Sequence, residues 1–277
     1  MIQPRIESNK LRLYFQRRPC RDLRDPVCDE PDPPHADFPN GWGGFTDVLH
    51  VDFKIPSEHT IYGERFDGEM QIYHLHPGRR RTPAVVSVIR ASRTKYNTVF
   101  QQILDKFWLL YNANRAECAT YLRNTRRLAT ETHAVLGGNT SSAVHDYKTW
   151  GDFSTLLDGP DGKNYTQREL QFGGFFNPHD PMLVPSIHFF GYQGSLTEPP
   201  CGEFVSWFIT DIPMEISFGQ LEQMKRLLFT NVSPQCKSTS VHFRQSVARP
   251  IQDTFGRPVF RCTEDDFLAD AVRFGDD

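Results

Sequence analysis

The residues best suited to chemistry lie in two stretches of alternating polar and apolar character, residues 48–53 (VLHVDF) and 69–76 (EMQIYHLH). Alternation with a period of two predicts β-strands, in which side chains two positions apart share a face. His50 and Asp52 therefore point the same way, and Gln71 lies on the equivalent face of the second strand. Neighbouring strands that aim imidazole, carboxylate and amide groups at a common point predict a metal site or an acid/base site.

Three sequence blocks resemble the α-class carbonic anhydrases. Residues 57–71 (SEHTIYGERFDGEMQ) are similar to the family signature, except that the family has His where this chain has Gln71. Residues 194–207 (GSLTEPPCGEFVSW) and 249–252 (RPIQ) resemble two later blocks in the family order. The resemblance implies a mainly β, single-domain fold around a large twisted, mostly antiparallel sheet, with peripheral helices.

The resemblance also implies a metal position. In the family, three imidazoles hold zinc, and the ion makes hydroxide available near pH 7 for attack on CO2. Here the three ligand positions fall on His50, Asp52 and Gln71. The charge of Asp52 weakens the pull of the ion on its water, and the amide oxygen of Gln71 suits harder cations than zinc. We expect zinc, if any metal, at low occupancy.

The supporting residues match the family better than the ligands do. Thr197 lies where the family accepts a hydrogen bond from zinc-bound hydroxide, and Glu58 lies where a buried carboxylate takes the proton of that threonine. Glu69 matches the carboxylate that orients the third ligand, and Glu198 adds a carboxylate at the mouth. The CO2 pocket is implied to comprise Tyr73, Val85, Leu196, Val205 and Trp207. The phenol of Tyr73 would partly fill this pocket.

These substitutions favour a carbonic-anhydrase-related protein with weak or no CO2 hydration, which works by binding an unknown protein partner. The alternative is an active zinc hydratase, converting CO2 to bicarbonate with atypical ligands. A third hypothesis is a different cation in an oxygen-richer site. Residues such as Glu58 and Trp207 would also satisfy buried polar groups and fill a core without any metal.

Three other histidines are candidates for the site. His74 and His76 alternate onto the face opposite Gln71, so a packing role is predicted unless a β-bulge redirects them. His35, in a Pro-rich stretch, is predicted to be a surface residue.

The chain divides into three parts at sequence level. Residues 1–46 form a Pro- and Arg-rich segment, shorter than the family's, which raises the hypothesis of a truncated start. Residues 47–262 form the predicted domain, and apolar residues at helical spacing predict a helical insertion at about 96–169. Residues 263–277 are an acidic tail.

Composition limits the partners and the compartment. A net charge of -3 over 277 residues gives no reason to expect nucleic-acid or polybasic membrane binding, and no run is long enough to predict a transmembrane helix. Six cysteines without a CxxC motif, with sequons at Asn139 and Asn164, favour a disulfide-forming secretory or extracellular environment, although the start lacks a signal-peptide pattern.

Two disulfide pairings are hypothesised. The family resemblance implies that Cys201 pairs with an N-terminal cysteine, Cys20 or Cys28. Cys236 with Cys262 is a second candidate pair. Six cysteines allow fifteen pairings, so the sequence leaves the connectivity open.

Overall fold

A computed structural model describes residues 2–15, 33–38, 45–75, 81–136 and 176–263, with the backbone alone described in 127–136. The elements in chain order are β1 Ile2–Ile6, β2 Leu11–Phe15, β3 His35–Ala36, β4 Thr46–Lys54, β5 Thr60–Ile61, β6 Glu64–Arg65, β7 Gly68–Leu75, β8 Thr82–Ser92, α1 Thr98–Leu136, β9 Phe189–Gly194, β10 Val205–Thr210, β11 Met214–Ser217, α2 Phe218–Phe229 and β12 Phe260–Cys262.

Ten of these strands form one sheet, with the order β1-β2-β4-β7-β8-β10-β9-β12. Strand β3 pairs with β4, and β11 pairs with β8. The β8–β10 and β8–β11 pairs are parallel, and the others are antiparallel. The prediction of a large, mostly antiparallel sheet with few helices is confirmed.

The sheet begins earlier than the predicted domain boundary at residue 47. Strand β2 pairs with β4, and Leu11 and Leu13 lie fully buried in the main core. The first strands are short, and the residues around them are rich in Arg and Pro. Composition therefore did not indicate that these strands belong to the sheet. The acidic tail after residue 263 and the sequons at Asn139 and Asn164 lie outside the described residues.

The predicted helical insertion includes helix α1, but the first turns of this helix are part of the core. Phe100, Ile103 and Phe107 are completely buried and pack in the same cluster as residues of β4 and β7. Three- to four-residue spacing places them on one stripe of the helix, which covers one face of the sheet. The remainder of the predicted insertion, residues 137–169, lies outside the described part of the chain.

Helix α2 packs beside α1 and starts at a defined cap. Ser217 accepts a hydrogen bond from the backbone of Gln220, whose side chain in turn accepts one from the backbone of Ser217. This capping box satisfies two backbone donors that the first turn leaves unpaired. No helix among the described residues is long and apolar enough to span a membrane.

The cysteine pairings differ from those hypothesised. A disulfide joins Cys118 on α1 to Cys236 in the loop after α2, while Cys201 and Cys262 are free thiols. The pair Cys236 with Cys262 is therefore wrong. Cys201 forms no disulfide with a described residue, and its hypothesised partners Cys20 and Cys28 lie outside the described part of the chain. The helical segment that carries Cys118 could not be placed beside Cys236 from sequence, since 118 positions separate them.

Candidate functional site

Strand register brings the three predicted metal ligands together. Across β2, β4 and β7, Arg12 lies opposite Asp52, and Asp52 lies opposite Gln71. One pair further along, Tyr14 lies opposite His50 and His50 opposite Tyr73. A register shift between Val48 and His50 marks an irregularity in β4. His50, Asp52 and Gln71 thus occupy one face of neighbouring strands, as the alternation predicted.

Asp52 is held by an arginine. Its side chain is buried, and Arg12 donates to both carboxylate oxygens, from Nε to Oδ1 at 2.5 Å and from Nη2 to Oδ2 at 2.6 Å. Burial by itself would raise the pKa of Asp52, but the Arg12 hydrogen bonds and charge hold it below its ordinary value. This bidentate pair occupies the carboxylate that the sequence offered to a metal.

Gln71 is also fully hydrogen-bonded. Its Nε2 donates to Glu58 Oε2 at 3.0 Å and to Glu69 Oε1 at 2.6 Å, and its Oε1 accepts from the Tyr73 hydroxyl at 3.0 Å. The amide oxygen is the only atom of Gln71 suited to a cation. One of its lone pairs accepts the hydrogen bond from the Tyr73 phenol.

Lys54 lies at the centre of the predicted catalytic pair. Its ammonium donates to Glu58 Oε2 and to Thr197 Oγ1, both at 2.7 Å, and the side chain is 1% exposed. Lys54 was not among the predicted site residues. The signal was present, because Lys54 lies two and four positions after Asp52 and His50 on the same strand and so faces the same way.

Two cationic side chains, Lys10 and Arg12, lie beside Asp52. Lys10 is 1% exposed and forms ion pairs with Glu198 and, at 3.5 Å, with Glu7. Arg12 Nη2 also contacts Glu198 Oε1 at 3.1 Å. Burial lowers the pKa of Lys10, an effect that the charge of Asp52 opposes. Glu198, predicted at the mouth of the site, thus bridges two buried cations. We call Lys10, Arg12, Asp52, Lys54, Glu58 and Glu198 the ion-pair cluster.

His50 lies next to this cluster without a close ion pair. Its Nε2 is 3.7 Å from Asp52 Oδ2, and its ring centroid is 4.6 Å from that of Tyr73. Burial lowers the pKa of His50 to about 4, against the opposing effect of the Asp52 charge. His50 is therefore neutral at pH 7.

Glu69 anchors a neighbouring network. It accepts hydrogen bonds from the backbone of Glu58 at 2.9 Å and of His59 at 2.7 Å, and it pairs with His59 Nδ1 at 2.8 Å. The other ring nitrogen of His59 contacts the Tyr192 hydroxyl at 2.8 Å. Burial alone would lower the pKa of His59, but the Glu69 carboxylate raises it. Glu69 also holds Gln71, the neighbour that the family resemblance implied.

The predicted CO2 pocket is a packed aromatic cluster. Tyr73 is 3% exposed, and its ring meets that of Trp207 at 5.6 Å in an edge-on arrangement, with Val205 and Leu196 in the same cluster. Val85 was placed in this pocket wrongly. It packs against the core on the helix-covered side, because side chains alternate along β8 and its neighbours Ala84 and Val86 face the pocket side.

The additional histidines do not join the site. His74 is fully buried on the opposite face, where its Nε2 lies 3.0 Å from His179 Nε2 and its ring packs edge-on against Phe38. The packing role predicted for His74 is confirmed, while His76 lies outside the described residues. His35 is exposed, as expected, and its ring contacts Phe45.

The residues at this position do not fit a zinc ion. Within the described ranges, no group of three or more His, Cys, Asp or Glu side chains could hold a metal. The side-chain oxygens of Asp52 and Gln71 already accept hydrogen bonds, and Thr197 Oγ1 accepts one from the Lys54 ammonium. Each carboxylate of the ion-pair cluster is already paired with a cation, so a divalent ion would have to displace an existing ion pair.

Part of the sequence matches known carbonic anhydrases. The family model for eukaryotic-type carbonic anhydrase matches residues 129–263. The human mitochondrial carbonic anhydrase 5B is 36% identical over 119 residues, covering 42% of this chain and 35% of that protein. The Lottia gigantea protein named putative carbonic anhydrase 2 is 27% identical over 237 residues, covering 74% of this chain and 48% of the relative. The chain thus spans about a third to a half of these relatives.

Solved structures show the same architecture. An α-carbonic anhydrase from Photobacterium profundum superposes with a TM-score of 0.51 at 14% identity, over 93% of this chain and 76% of the other. Dioscorin, solved with ascorbate, gives a TM-score of 0.50 at 16% identity, over 94% of this chain and 73% of the other. Residues 129–263 thus match the carbonic anhydrase family model, and the chain has the fold of the α-carbonic anhydrases.

Proposed function

We propose that this protein is a carbonic-anhydrase-related scaffold that does not hydrate CO2 efficiently and acts by binding. The observation that supports it most directly is the position of Lys54, whose ammonium donates to both Thr197 and Glu58 at 2.7 Å. In the family these two residues orient a zinc-bound hydroxide. In this protein the Lys54 ammonium donates to one oxygen of each of these residues.

The electrostatics of the cluster explain why this arrangement suppresses the reaction. A zinc hydroxide forms near pH 7 when the ion keeps its full charge among neutral ligands. In this protein each carboxylate of the ion-pair cluster is already paired with Lys10, Arg12 or Lys54, which leaves none of them free for a dication. An ammonium supplies positive charge but cannot bind and acidify a water as a Lewis acid.

The filled pocket supports the same proposal. Tyr73 packs against Trp207 and donates to Gln71, so its ring is held in the space assigned to CO2 by the family resemblance. Even a bound metal would then face a pocket narrowed by a fixed phenol.

Metal content measured beside activity tests the proposal. Protein purified without added metal or chelator is analysed by mass spectrometry, and CO2 hydration is followed by stopped flow, with an active α-carbonic anhydrase as positive control. We expect substoichiometric zinc and a hydration rate equal to the buffer background. Stoichiometric zinc with sulfonamide-sensitive turnover would overturn the proposal in favour of an active hydratase with atypical ligands.

Rebuilding the metal site gives a sharper test of Lys54. Asp52→His with Gln71→His restores three imidazoles but leaves the ammonium in place, and we expect no tight zinc binding. Adding Lys54→Met and Arg12→Met removes the competing charges, and we expect stoichiometric zinc, with native circular dichroism as the folding control. Equal zinc affinity in both variants would show that Lys54 does not block the metal position.

We infer the cellular setting from the disulfide. Because disulfides persist mainly in oxidising compartments, the bond between Cys118 and Cys236 supports a secretory or extracellular location. The binding partner in that setting is proposed to be another protein. Peptide mapping under non-reducing conditions should find this pair linked and Cys201 alkylated.

A further inference from the structure

We propose that a cavity beside the ion-pair cluster binds small aromatic carboxylic acids. The cavity, of about 390 Å³, lies between the β5–β6 hairpin, strand β9 and the segment 249–259. We call it the hairpin cavity. Its volume falls within the range of about 300–1,000 Å³ that small-molecule sites occupy.

Three aromatic rings give the cavity its preference for a ring. Tyr62, Phe190 and Tyr192 all line it, and the rings of Tyr62 and Phe190 meet almost perpendicularly, at 5.8 Å and 87°. Tyr62 is 84% exposed and has a backbone φ of 52°, a left-handed conformation that is uncommon for a bulky residue. Together the two rings form an aromatic wall against which a flat ring can pack.

The third ring, that of Tyr192, is held in place through its hydroxyl. The Tyr192 hydroxyl contacts His59 Nε2 at 2.8 Å, and His59 is in turn held by Glu69. This side of the cavity is therefore preorganised, which lowers the entropy cost of binding a ligand against it.

Two arginines give the cavity its preference for a carboxylate. Arg249 donates from Nη1 to Ser195 Oγ at 3.1 Å and to the Leu196 carbonyl at 3.3 Å, and its Nε and Nη2 have no partner within the described part of the chain. Arg257 pairs through Nη2 with the exposed Glu203. Planar guanidinium groups recognise carboxylates through paired hydrogen bonds.

The cavity lining is both apolar and charged, which favours aromatic carboxylates over ligands that are only anionic or only apolar. Ile61, Ile209 and Val259 add apolar wall, so a hydrophilic anion alone would leave that surface uncovered. A purely apolar ring would leave the arginine donors unpaired. An aromatic ring with one carboxylate satisfies both sets of groups.

The inference extends the binding role proposed above and rests on it, but its failure is separable. Metal content and hydration report on the Lys54 position, whereas ligand titration reports on the hairpin cavity. Glu58 and Thr197 line the cavity as well as contact Lys54, so they are left unchanged in the variants below.

Cinnamate is the probe, measured by isothermal titration calorimetry and by perturbation of amide resonances. We expect saturable binding near 1 mM or tighter. Cinnamamide, which keeps the ring and removes the charge, and hexanoate, which keeps the charge and removes the ring, should each bind about tenfold more weakly. Failure of cinnamate to saturate at about 5 mM would overturn the proposal.

Matched variants locate the site. Tyr62→Ala and Arg257→Gln should each weaken cinnamate binding about tenfold. Phe255→Ala serves as control, because Phe255 is 76% exposed in the same segment but does not line the cavity. Cinnamate affinity unchanged in both test variants would place the binding elsewhere and contradict the inference.

Discussion

The two faces of strands β4 and β7 are both buried, one by apolar side chains and the other largely by paired charged and polar side chains. On one face Val51, Phe53, Met70 and Ile72 pack with the first turns of α1 in an apolar core. On the other face, the intervening residues of the same strands carry charged and amide groups, among them Asp52 and Lys54 of the ion-pair cluster. Both faces exclude water, yet only one does so with apolar side chains.

This difference predicts two kinds of response to mutation. Apolar contacts are numerous and weak, so truncating one of them costs an amount that follows the atoms removed. A buried ion pair is coupled, because removing one partner leaves the other charged and unsolvated. The charged face should therefore be sensitive to single changes and tolerant of matched double changes.

The largest effect is expected from Arg12→Met. It leaves Asp52 buried without its two hydrogen bonds, and we expect a loss of about 3–5 kcal/mol in the free energy of unfolding. Urea denaturation followed by circular dichroism measures it. The double variant Arg12→Met with Asp52→Leu should recover at least half of the loss. Additive losses in the double variant would contradict coupling between the two side chains.

Lys54→Met should cost less, about 2–3 kcal/mol, because Glu58 keeps hydrogen bonds from Gln71 at 3.0 Å and from the Arg249 backbone at 3.2 Å. The same denaturation experiment applies, with exposed Lys95→Met as the matched control. A loss no larger than that of the control would mean that the ammonium is not required to neutralise the Glu58 carboxylate.

The histidine pair on the apolar side predicts loss of stability in acid. Burial, then the charge of the partner His179, lowers the pKa of His74 to about 3; burial, then the charge of His35, lowers that of His179 to about 4. The unfolded chain takes up protons near pH 6.5, so this stability is present above pH 6.5 and is lost as pH falls towards 4.

His179→Asn should remove about 1–2 kcal/mol of the difference in unfolding free energy between pH 7 and pH 4.5. Denaturant unfolding at the two pH values measures it, with the exposed His242→Asn as control. Identical pH dependence in His179→Asn and the unmodified protein would show that this histidine is protonated equally in both states.

The smallest effect is expected on the helix-covered face. Ile103 is completely buried in the α1 stripe, and Ile103→Val removes one methylene, at a cost of about 1 kcal/mol. Thermal unfolding with matched denaturant curves measures it. A loss as large as that of Arg12→Met would remove the distinction between the two faces.

Much of this site could be predicted from residues close together in sequence. Period-two alternation placed His50 with Asp52, and the resemblance of residues 57–71 to a known family placed Gln71 on the neighbouring strand. The prediction for Val85 was wrong because a one-residue offset along a strand moves a side chain to the other face. Lys10 and Arg12 were missed because β2 lies about forty positions before β4, and local pattern carries no information about that pairing.

The resemblance to carbonic anhydrases, the strand periodicity and the absence of two of the three expected imidazoles could all be read from the sequence, since each is a property of residue type and short spacing. What lies at the position of the expected metal could be read only from the folded chain. Arg12, Lys54 and Thr197 come from distant segments, and they meet through strand pairing and loop placement. Whether a buried carboxylate faces a metal or a guanidinium depends on that long-range register, which no local preference encodes.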